Sequence, residues 1–469
     1  MGSVIVLALL AGVGFTALFL PWVGVGAAYL IGILNPQSIW WWSFEGLRPV
    51  YWVLLPTLIG VGLMGIRGRL RWEALANVRV ACIVVIWLSG MVSWWLGPYS
   101  VSVAVDGEPV TRGAAYIMDN FSKIVILLVA ALLCCDGSKN LKYMSTVLLI
   151  TGLYLTWWVN DRYLFHGAWG RIAGPTPING DGAYSDENTF GSLFVIVFPF
   201  FWYAGFAAKR LWLRFGFWAC VPFVWHGVFL TGSRGALLAL GASLLVIAIR
   251  MKRKSFGVAL VVLFVIAFAW QAGDTMRDRA GSIDEYSEDQ SATGRLDAWE
   301  AGARMMLDNP ITGVGPGAFL RAFADYSGMI PRQAHNTLVQ FGAEFGIFAL
   351  LALVGLLGSC IFSLWRINSS SYFRRSDTDT VPYYIIEATL AANVGCFVTG
   401  LFLSQQLFEI MYFLVFLTCM SINFNNRREK VIENSGDSAN ASTSHSALGS
   451  VNFLPARFDQ SNNPSGRKS

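Results

Sequence analysis

The sequence predicts an all-α, polytopic membrane protein, on the strength of two observations. First, 55% of its 469 residues are hydrophobic and only 13% are charged, whereas soluble domains carry roughly a quarter charged residues. Second, apolar windows of about 17–22 residues recur along the chain, and this is the length that a helix needs to cross a bilayer. A chain in contact with lipid must satisfy its backbone polar groups internally, so we expect the spans to be helices.

The apolar windows define the candidate spans. The first two are short and joined at Pro21, so they form either a hairpin or one broken crossing, which leaves about 12 or 13 crossings in total. The seven cysteines lie in or beside apolar windows without metal-ligand spacing, and we interpret them as small packing residues. The windows are residues 4–20, 22–34, 50–66, 80–96, 121–135, 141–158, 189–206, 212–230, 236–249, 256–270, 337–361, 385–403 and 409–424.

Basic residues predict the orientation of these spans. Lys and Arg cluster in every second connection, from Arg67 and its neighbours to "RREK" at 427–430. Such clusters mark the cytoplasmic side of a membrane protein. The complementary connections are therefore predicted to be external: 35–49, 97–120, 159–188, 231–235, 271–336 and 404–408.

Two segments are predicted to differ from the bundle, which occupies residues 1–425. Residues 271–336 form a long external loop inserted in the bundle, and "TGRLDAWEAGARMML" within it predicts a helix with a possible N-cap at Thr293. Residues 426–469 are rich in Ser and Asn and poor in apolar residues. We expect a disordered cytoplasmic tail there.

The stretch "PRQAHNTLVQFGAEFG" at 331–346 places polar residues at the start of an apolar run. On a helix, Asn336, Gln340 and Glu344 share one face, and that face must point into the bundle because an ionisable group in lipid is costly. The pair Gly342 and Gly346 is predicted to let another helix pack closely. His335 precedes this face at its external end, either as a structural histidine bonded to loop backbone or as a functional group.

Arg234 lies in a very short external turn within "LTGSRGALLALGAS". One interpretation is an arginine that extends to the membrane interface. The other is an anion site, because guanidinium suits phosphate and the helix that follows offers free backbone N–H groups. Positive-inside patterning favours the second interpretation.

Other external arginines are mostly expected to be ordinary solvated or ion-paired charges. Arg295 stands out because it opens the predicted helix, and Arg171 in "GRIAGP" comes next. Asp186 and Glu187 could hold a cation, but a capped helix start is the favoured interpretation. No metal-ligand set and no serine-hydrolase nucleophile elbow is visible, so neither kind of site is expected.

An external histidine together with several external arginines suits transfer from a lipid diphosphate. Diphosphate becomes a good leaving group when its charge is neutralised, and arginines can do this in place of a metal. The attacking hydroxyl needs a general base, and histidine with its ordinary pKa of about 6.5 suits that role.

Several stretches resemble the O-antigen ligase/polymerase family of bacterial inner-membrane glycosyltransferases, which includes protein O-oligosaccharyltransferases. They are "TGSRGALLAL", "GRLDAWEAGARMMLDNPITGVGPGAF" and "AHNTLVQFGAEFGIFALL". The stretches "YLIGILNPQSIWWW" and "GRIAGPTPINGDGAYSDENTFGSLFVIVFP" look closest to the branch associated with exosortase or exopolysaccharide systems. The likeness spans roughly residues 25–425.

This resemblance implies a GT-C-like bundle that uses an undecaprenyl-diphosphate-linked glycan without a metal or other cofactor. By motif match, Arg234 and Arg295 would bind the diphosphate and His335 would activate the acceptor. Arg171 is a further diphosphate-binding candidate, while Asn336, Gln340 and Glu344 would support the site. The insert "TPINGDGAYS" departs from the family's shorter spacing, so no role is carried over to 186–188.

The expected protein is a metal-independent glycan transferase at the periplasmic face of a Gram-negative inner membrane. The acceptor is lipid A-core for a ligase, another glycan for a polymerase, or a protein hydroxyl; the ligase is placed first. Membrane lipids are expected partners and nucleic acid is not. A transporter of lipid-linked glycans is the alternative from another class, and it predicts inverted repeats and charges spread through the membrane depth.

Overall fold

The computed structural model describes residues 2–44, 47–100, 113–176, 184–251, 254–271, 290–367, 369 and 379–448. Within these residues the regular structure is helical, which confirms the all-α prediction. A short 3₁₀ helix covers Trp72–Leu75. The α-helices are α1 Gly2–Phe19, α2 Pro21–Leu34, α3 Pro36–Ile39, α4 Trp41–Phe44, α5 Pro49–Ile66, α6 Val78–Leu96, α7 Ala114–Cys134, α8 Gly137–His166, α9 Glu187–Ala207, α10 Leu211–Leu230, α11 Arg234–Arg250, α12 Lys254–Gln271, α13 Gln290–Asp308, α14 Phe319–Ser327, α15 Thr337–Phe345, α16 Ile347–Arg366, α17 Val381–Gly400 and α18 Glu409–Leu448.

Each predicted span coincides with one or two of these helices. Among the described residues, eight helices are both long and apolar enough to cross a membrane: α1, α5, α6, α7, α9, α10, α16 and α17. The other predicted spans are helices too, but α2 has 14 residues and α11 has 17. The chain is therefore an all-α polytopic membrane protein, and the count of 12 or 13 crossings stays a prediction.

The first two helices form a hairpin, which answers the question that the sequence left open. Both pack on α5, where Gly60 has no side chain and lies against the turn at Pro21. Gly24 of α2 lies against Thr57, nearer the start of α5, and Gly14 of α1 lies against Pro56. The chain thus runs parallel to α5 in α1, turns at Pro21 and runs antiparallel to α5 in α2.

The connections between helices meet in two groups, in the alternating order that the basic residues predicted. Arg71 and Asp136, from two predicted cytoplasmic connections, form an ion pair with N and O 2.7 Å apart. Tyr99 and Val314, from two predicted external segments, share a backbone hydrogen bond of 2.8 Å. Which group faces the cytoplasm stays a prediction, and we call the second group the His335 end of the bundle.

The predicted span 337–361 is broken into α15 and α16 at Gly346, where φ is +86°. A β-carbon at Gly346 would lie 2.6 Å from the carbonyl oxygen of Ile311 and 2.7 Å from that of Pro310. The prediction that Gly346 admits a packing helix is therefore wrong, because its neighbour is an irregular segment. Gly342 does admit a helix, since its missing β-carbon leaves room for Met306 of α13.

The inserted segment contributes α13 and α14, which cover a small apolar core of their own. Ala298 and Met305 of α13 and Phe319 and Phe323 of α14 are buried there against Ala343 of α15. Helix α13 begins at Gln290, so the predicted N-cap at 293 is wrong and that residue lies inside the helix. The part of the predicted external loop at 272–289 lies outside the described residues.

The last helix continues past the predicted end of the bundle. Helix α18 runs to Leu448, whereas a disordered tail was predicted from residue 426. The remaining tail, 449–469, lies outside the described residues, and its predicted disorder and cytoplasmic position stay predictions.

Candidate active site

Three helices begin side by side at the His335 end, and each has a side chain that caps it. Asp186 caps α9, Ser233 caps α11 and Asn336 caps α15, with the capping oxygens accepting backbone N–H groups at 3.0, 3.2 and 2.9 Å. The capped start at Asp186 is the structure predicted from sequence. Because the N-terminal ends of helices carry partial positive charge, this region favours an anion.

The turn between α17 and α18 holds the three helix starts together. The Thr337 hydroxyl at the start of α15 donates a hydrogen bond of 2.6 Å to the Leu403 carbonyl. The Gln405 side chain donates one of 3.2 Å to Ser192 in α9, and Phe402 packs against the first turn of α11. These contacts fix three segments that are far apart in the sequence.

Two predicted arginines meet at the turn that precedes α11. The Arg171 Nε donates a hydrogen bond of 3.1 Å to the Thr231 carbonyl, and its Nη2 donates one of 3.3 Å to the Asn188 side chain. The Glu187 carboxylate, 3.6 Å from Arg171, partly balances its charge. Arg234 is the first residue of α11 and is exposed at the same turn.

His335 has a left-handed backbone conformation, with φ +44°. This region is uncommon for residues other than glycine, and such conformations persist where the surrounding structure enforces them. On one side of His335, the Ala334 carbonyl accepts a hydrogen bond from Trp299; on the other, Asn336 caps α15. The backbone of His335 is thus held between two fixed residues, and its side chain is half-buried.

The surroundings of His335 favour its neutral form. Burial lowers its pKa, and the positive charge of Arg295 lowers it further, while the negative charge of Asp186 raises it. The net effect is a pKa below the ordinary value of 6.5. A neutral imidazole at pH 7 can accept a proton, which is what a general base must do. These two charges act on His335 from α13 and from the residue that caps α9.

Arg295 reaches the site from α13 but does not open that helix. It is the sixth residue of α13, which corrects the expectation that Arg295 begins it. The adjacent Gly294 has no side chain, and the guanidinium of Arg332 occupies the space that a β-carbon would need. Arg332, which the sequence treated as an ordinary charge, is therefore a neighbour of Arg295.

The three supporting residues are all buried, yet they do not form one helical stripe. Asn336 precedes α15 as its cap, so only Gln340 and Glu344 share the helical face. Their side chains are joined by a hydrogen bond of 3.4 Å. The Glu344 carboxylate is 1% exposed and accepts the backbone N–H groups of Gly317 at 2.8 Å and Phe319 at 3.2 Å.

Some of these relationships were not visible in the sequence. The pairing of Arg171 with Asn188, the charge of Asp186 near His335 and the position of Arg332 all depend on contacts between distant segments. The stretch "GVGPG" could have indicated the contact of Glu344 with the Gly317 backbone. Closely spaced glycines predict a tight turn whose backbone N–H groups need acceptors.

The sequence predicts no metal site, and the acidic residues near the arginines have other contacts. In the part of the chain that the structure describes, no group of three or more His, Cys, Asp or Glu side chains is placed to hold a metal ion. Asp186 caps α9, and Glu187, the first residue of that helix, pairs with Arg171. The metal independence of any reaction here stays a prediction.

Fold and site define a polytopic membrane protein with a site that combines arginines, helix starts and a neutral histidine. The family model described as O-Antigen ligase matches residues 219–354, which supports the resemblance of the chain to the O-antigen ligase-like family. The match includes Arg234, Arg295 and His335, while Arg171 precedes it. It supports a glycosyltransferase of the O-antigen ligase/polymerase type that acts on a lipid-linked glycan and an acceptor. No curated protein matches the chain.

Proposed function

We propose that this protein transfers a glycan from undecaprenyl diphosphate to an acceptor hydroxyl at the periplasmic face of a Gram-negative inner membrane. The observation that carries the proposal is the placement of His335, whose pKa is lowered by burial and by Arg295. Arg234 begins the neighbouring helix α11, and Arg171 donates a hydrogen bond to the turn that precedes it. A base and a set of cations are the two parts that such a transfer needs.

The reaction is a displacement at the sugar carbon that is bonded to diphosphate. The acceptor hydroxyl gives its proton to the imidazole of His335 as its oxygen forms a bond to that carbon. The bond from the carbon to the diphosphate oxygen breaks, and the electron pair leaves with undecaprenyl diphosphate. The imidazolium then returns its proton to solvent, so that the protein is restored.

The arginines act on the leaving group. Arg234 and Arg295 bind the diphosphate oxygens, and Arg171 supports the turn that carries Arg234. A guanidinium stays charged at all physiological pH values and offers donors in a fork that matches phosphate. Charge stabilisation in a site with little water contributes strongly when negative charge develops on the leaving oxygen. No metal or other cofactor is required in this scheme.

The acceptor is proposed to be lipid A-core, which makes the protein an O-antigen ligase. A polymerase that extends another lipid-linked glycan and a protein O-oligosaccharyltransferase share the same donor chemistry. A transporter of lipid-linked glycans is a more distant alternative. The clustering of the arginine and histidine residues at one end of the bundle favours transfer over transport, because a transport route needs polar groups across the membrane.

The test uses purified protein, synthetic undecaprenyl-diphosphate glycan and each acceptor class in separate reactions, all with EDTA. Transfer is expected with one acceptor class and is expected to be lost in His335→Ala and Arg234→Ala. Matched controls are His166→Ala at the end of α8 and Arg67→Ala at the end of α5, which should keep wild-type rates.

Three results would contradict parts of the proposal. Full activity of His335→Ala would show that His335 is not the general base. Strict dependence on an added divalent metal would show that the arginines do not replace a metal in neutralising the diphosphate. Movement of the intact lipid-linked glycan across a vesicle membrane, without transfer to any acceptor, supports the transporter instead.

A further inference from the structure

Helix α13 has an apolar face that the rest of the described chain leaves uncovered. Leu296 is 62% exposed and Leu307 is 74% exposed. Eleven residues of helix make about three turns, so these two side chains point the same way. Ala303 lies between them on that face and is also exposed. The opposite face is covered, because Gly302 packs against Val339 of α15.

The C-terminal end of α13 lies at the beginning of a membrane span. The chain continues to Ile311, whose carbonyl oxygen contacts Gly346, and the Pro310 carbonyl accepts the backbone N–H of Ile347 at 2.8 Å. Ile347 begins α16, an apolar candidate span. Ile311 is 61% exposed at this point, and Phe348, the second residue of α16, is exposed as well.

A second span ends at the same level. Helix α6 ends at Leu96, and three residues later the Tyr99 backbone N–H donates to the Val314 carbonyl at 2.8 Å. Trp95 and Leu96 are both exposed at this end of α6. Exposed tryptophan at the end of a span is typical of the interface between lipid and water. The chain that follows α13 is therefore bracketed by two spans at their interfacial ends.

Charged residues border the apolar face of α13 on one side. Glu300 and Arg304, four residues apart, form an ion pair and are both exposed, and Asp308 continues this edge. An apolar face with a charged border is the pattern of a helix that lies in the plane of the membrane interface.

We propose that the Leu296–Leu307 face of α13 rests in the lipid leaflet at the His335 end of the bundle. The occupant of this face is lipid, because the face is continuous through Ile311 with the lipid-facing surface of α16. The helix that carries Arg295 is then held at the depth of the lipid headgroups. This inference concerns membrane position only and does not depend on the reaction proposed above.

The test places a nitroxide label on single cysteines in the full chain, reconstituted in lipid nanodiscs. The half-buried Cys82 and Cys220 are first replaced by serine, since the other native cysteines are buried. Labels at Leu296→Cys and Leu307→Cys are compared with Leu351→Cys on the exposed face of α16 and with Asp308→Cys on the charged edge. Collisions with oxygen, which concentrates in lipid, and with a water-soluble nickel chelate are measured for each label.

Labels at positions 296 and 307 are expected to collide with oxygen several-fold more than with the chelate, as at position 351. The label at 308 should show the reverse order. Chelate access at 296 and 307 equal to that at 308 would overturn the proposal, since it means that the face is in water. Low access to both reagents, with an immobilised spectrum, would overturn it as well, because it means that protein covers the face.

Discussion

The indole N–H of Trp299 donates a hydrogen bond to the backbone carbonyl of Ala334, 3.0 Å away. Trp299 lies one helical turn after Arg295 on α13, and Ala334 is the residue before His335. This single bond therefore joins the helix that carries the arginine to the residue that precedes the histidine. In the proposed transfer, such a connection sets the distance between a cation and a base that act on the same substrate.

Replacing Trp299 by phenylalanine is expected to lower the transfer rate about five- to tenfold. The change keeps an aromatic ring but removes the donor, and a hydrogen bond of this kind contributes about 1 kcal/mol. The rate constant kcat and the thermal unfolding temperature are measured together in detergent. We expect a small shift in unfolding temperature and a larger effect on kcat.

A matched control for this prediction is Trp87→Phe. Trp87 donates a similar hydrogen bond, of 2.9 Å, to Ser122 between α6 and α7. Its loss should change stability by a similar amount and leave kcat unchanged. Equal effects of both variants on kcat would mean that the Trp299 bond supports the fold alone.

The acid limb of the pH–rate profile is expected below pH 6.5. His335 must be neutral to act as a base, and its pKa is lowered by burial and by Arg295. Activity is therefore lost only as the pH falls through this lowered pKa. Removing the positive charge in Arg295→Gln should move the limb to higher pH, and removing the negative charge in Asp186→Asn should move it to lower pH. The ratio kcat/KM is measured between about pH 4.5 and 8.

The control for the pH series is Glu300→Gln, which removes a charge from the exposed edge of α13. Its profile should coincide with that of the wild-type protein. An acid limb that stays fixed in both Arg295→Gln and Asp186→Asn would show that another group titrates.

Hydropathy and basic residues were sufficient to predict where most helices lie and that Arg234 and His335 share one end of the bundle. Those features are local, because apolar length and charge are encoded residue by residue. The break at Gly346 was missed because no hydropathy window over 337–361 distinguishes one helix from two. At the break, Gly346 packs against the carbonyls of Pro310 and Ile311, which are distant in the sequence.

The same limit applies to the site. The type of each candidate residue was visible in the sequence, but the contacts that set its properties come from other segments. Arg171 meets Asn188 across a loop, and Asp186 affects the pKa of His335 from another helix. Helical periodicity placed Asn336 on a face, whereas capping places it just before the helix.

Substitution of Glu344 is expected to lower stability in proportion to the hydrogen bonds that are lost. Glu344→Ala leaves the backbone N–H groups of Gly317 and Phe319 without their acceptor, and each buried unsatisfied donor costs roughly 1–3 kcal/mol. Glu344→Gln keeps one acceptor oxygen, so it should cost less. The free energy of unfolding is measured by denaturant titration in detergent. Glu300→Ala, at an exposed ion pair, serves as the control and should change stability by less than about 1 kcal/mol.

If Glu344→Gln were as damaging as Glu344→Ala, the carboxylate charge rather than its two acceptors would be the important property. If neither variant changed stability, the segment that contains Gly317 would be held by its other contacts. One of these is the backbone hydrogen bond of 2.8 Å from Val314 to Ala343.

Alanine at position 346 is expected to destabilise the protein by several kcal/mol. The left-handed φ of +86° disfavours any side chain, and the added β-carbon would clash with the carbonyl oxygens of Pro310 and Ile311. The clash would separate α16 from the segment that leads into α14 and thereby disturb the packing of α13 against α15. The matched control is Gly358→Ala in the middle of α16, where a β-carbon meets no atom within 4 Å. That change should be neutral or stabilise the helix by up to about 1 kcal/mol, and equal unfolding temperatures for the two variants would show that the break between α15 and α16 does not require glycine.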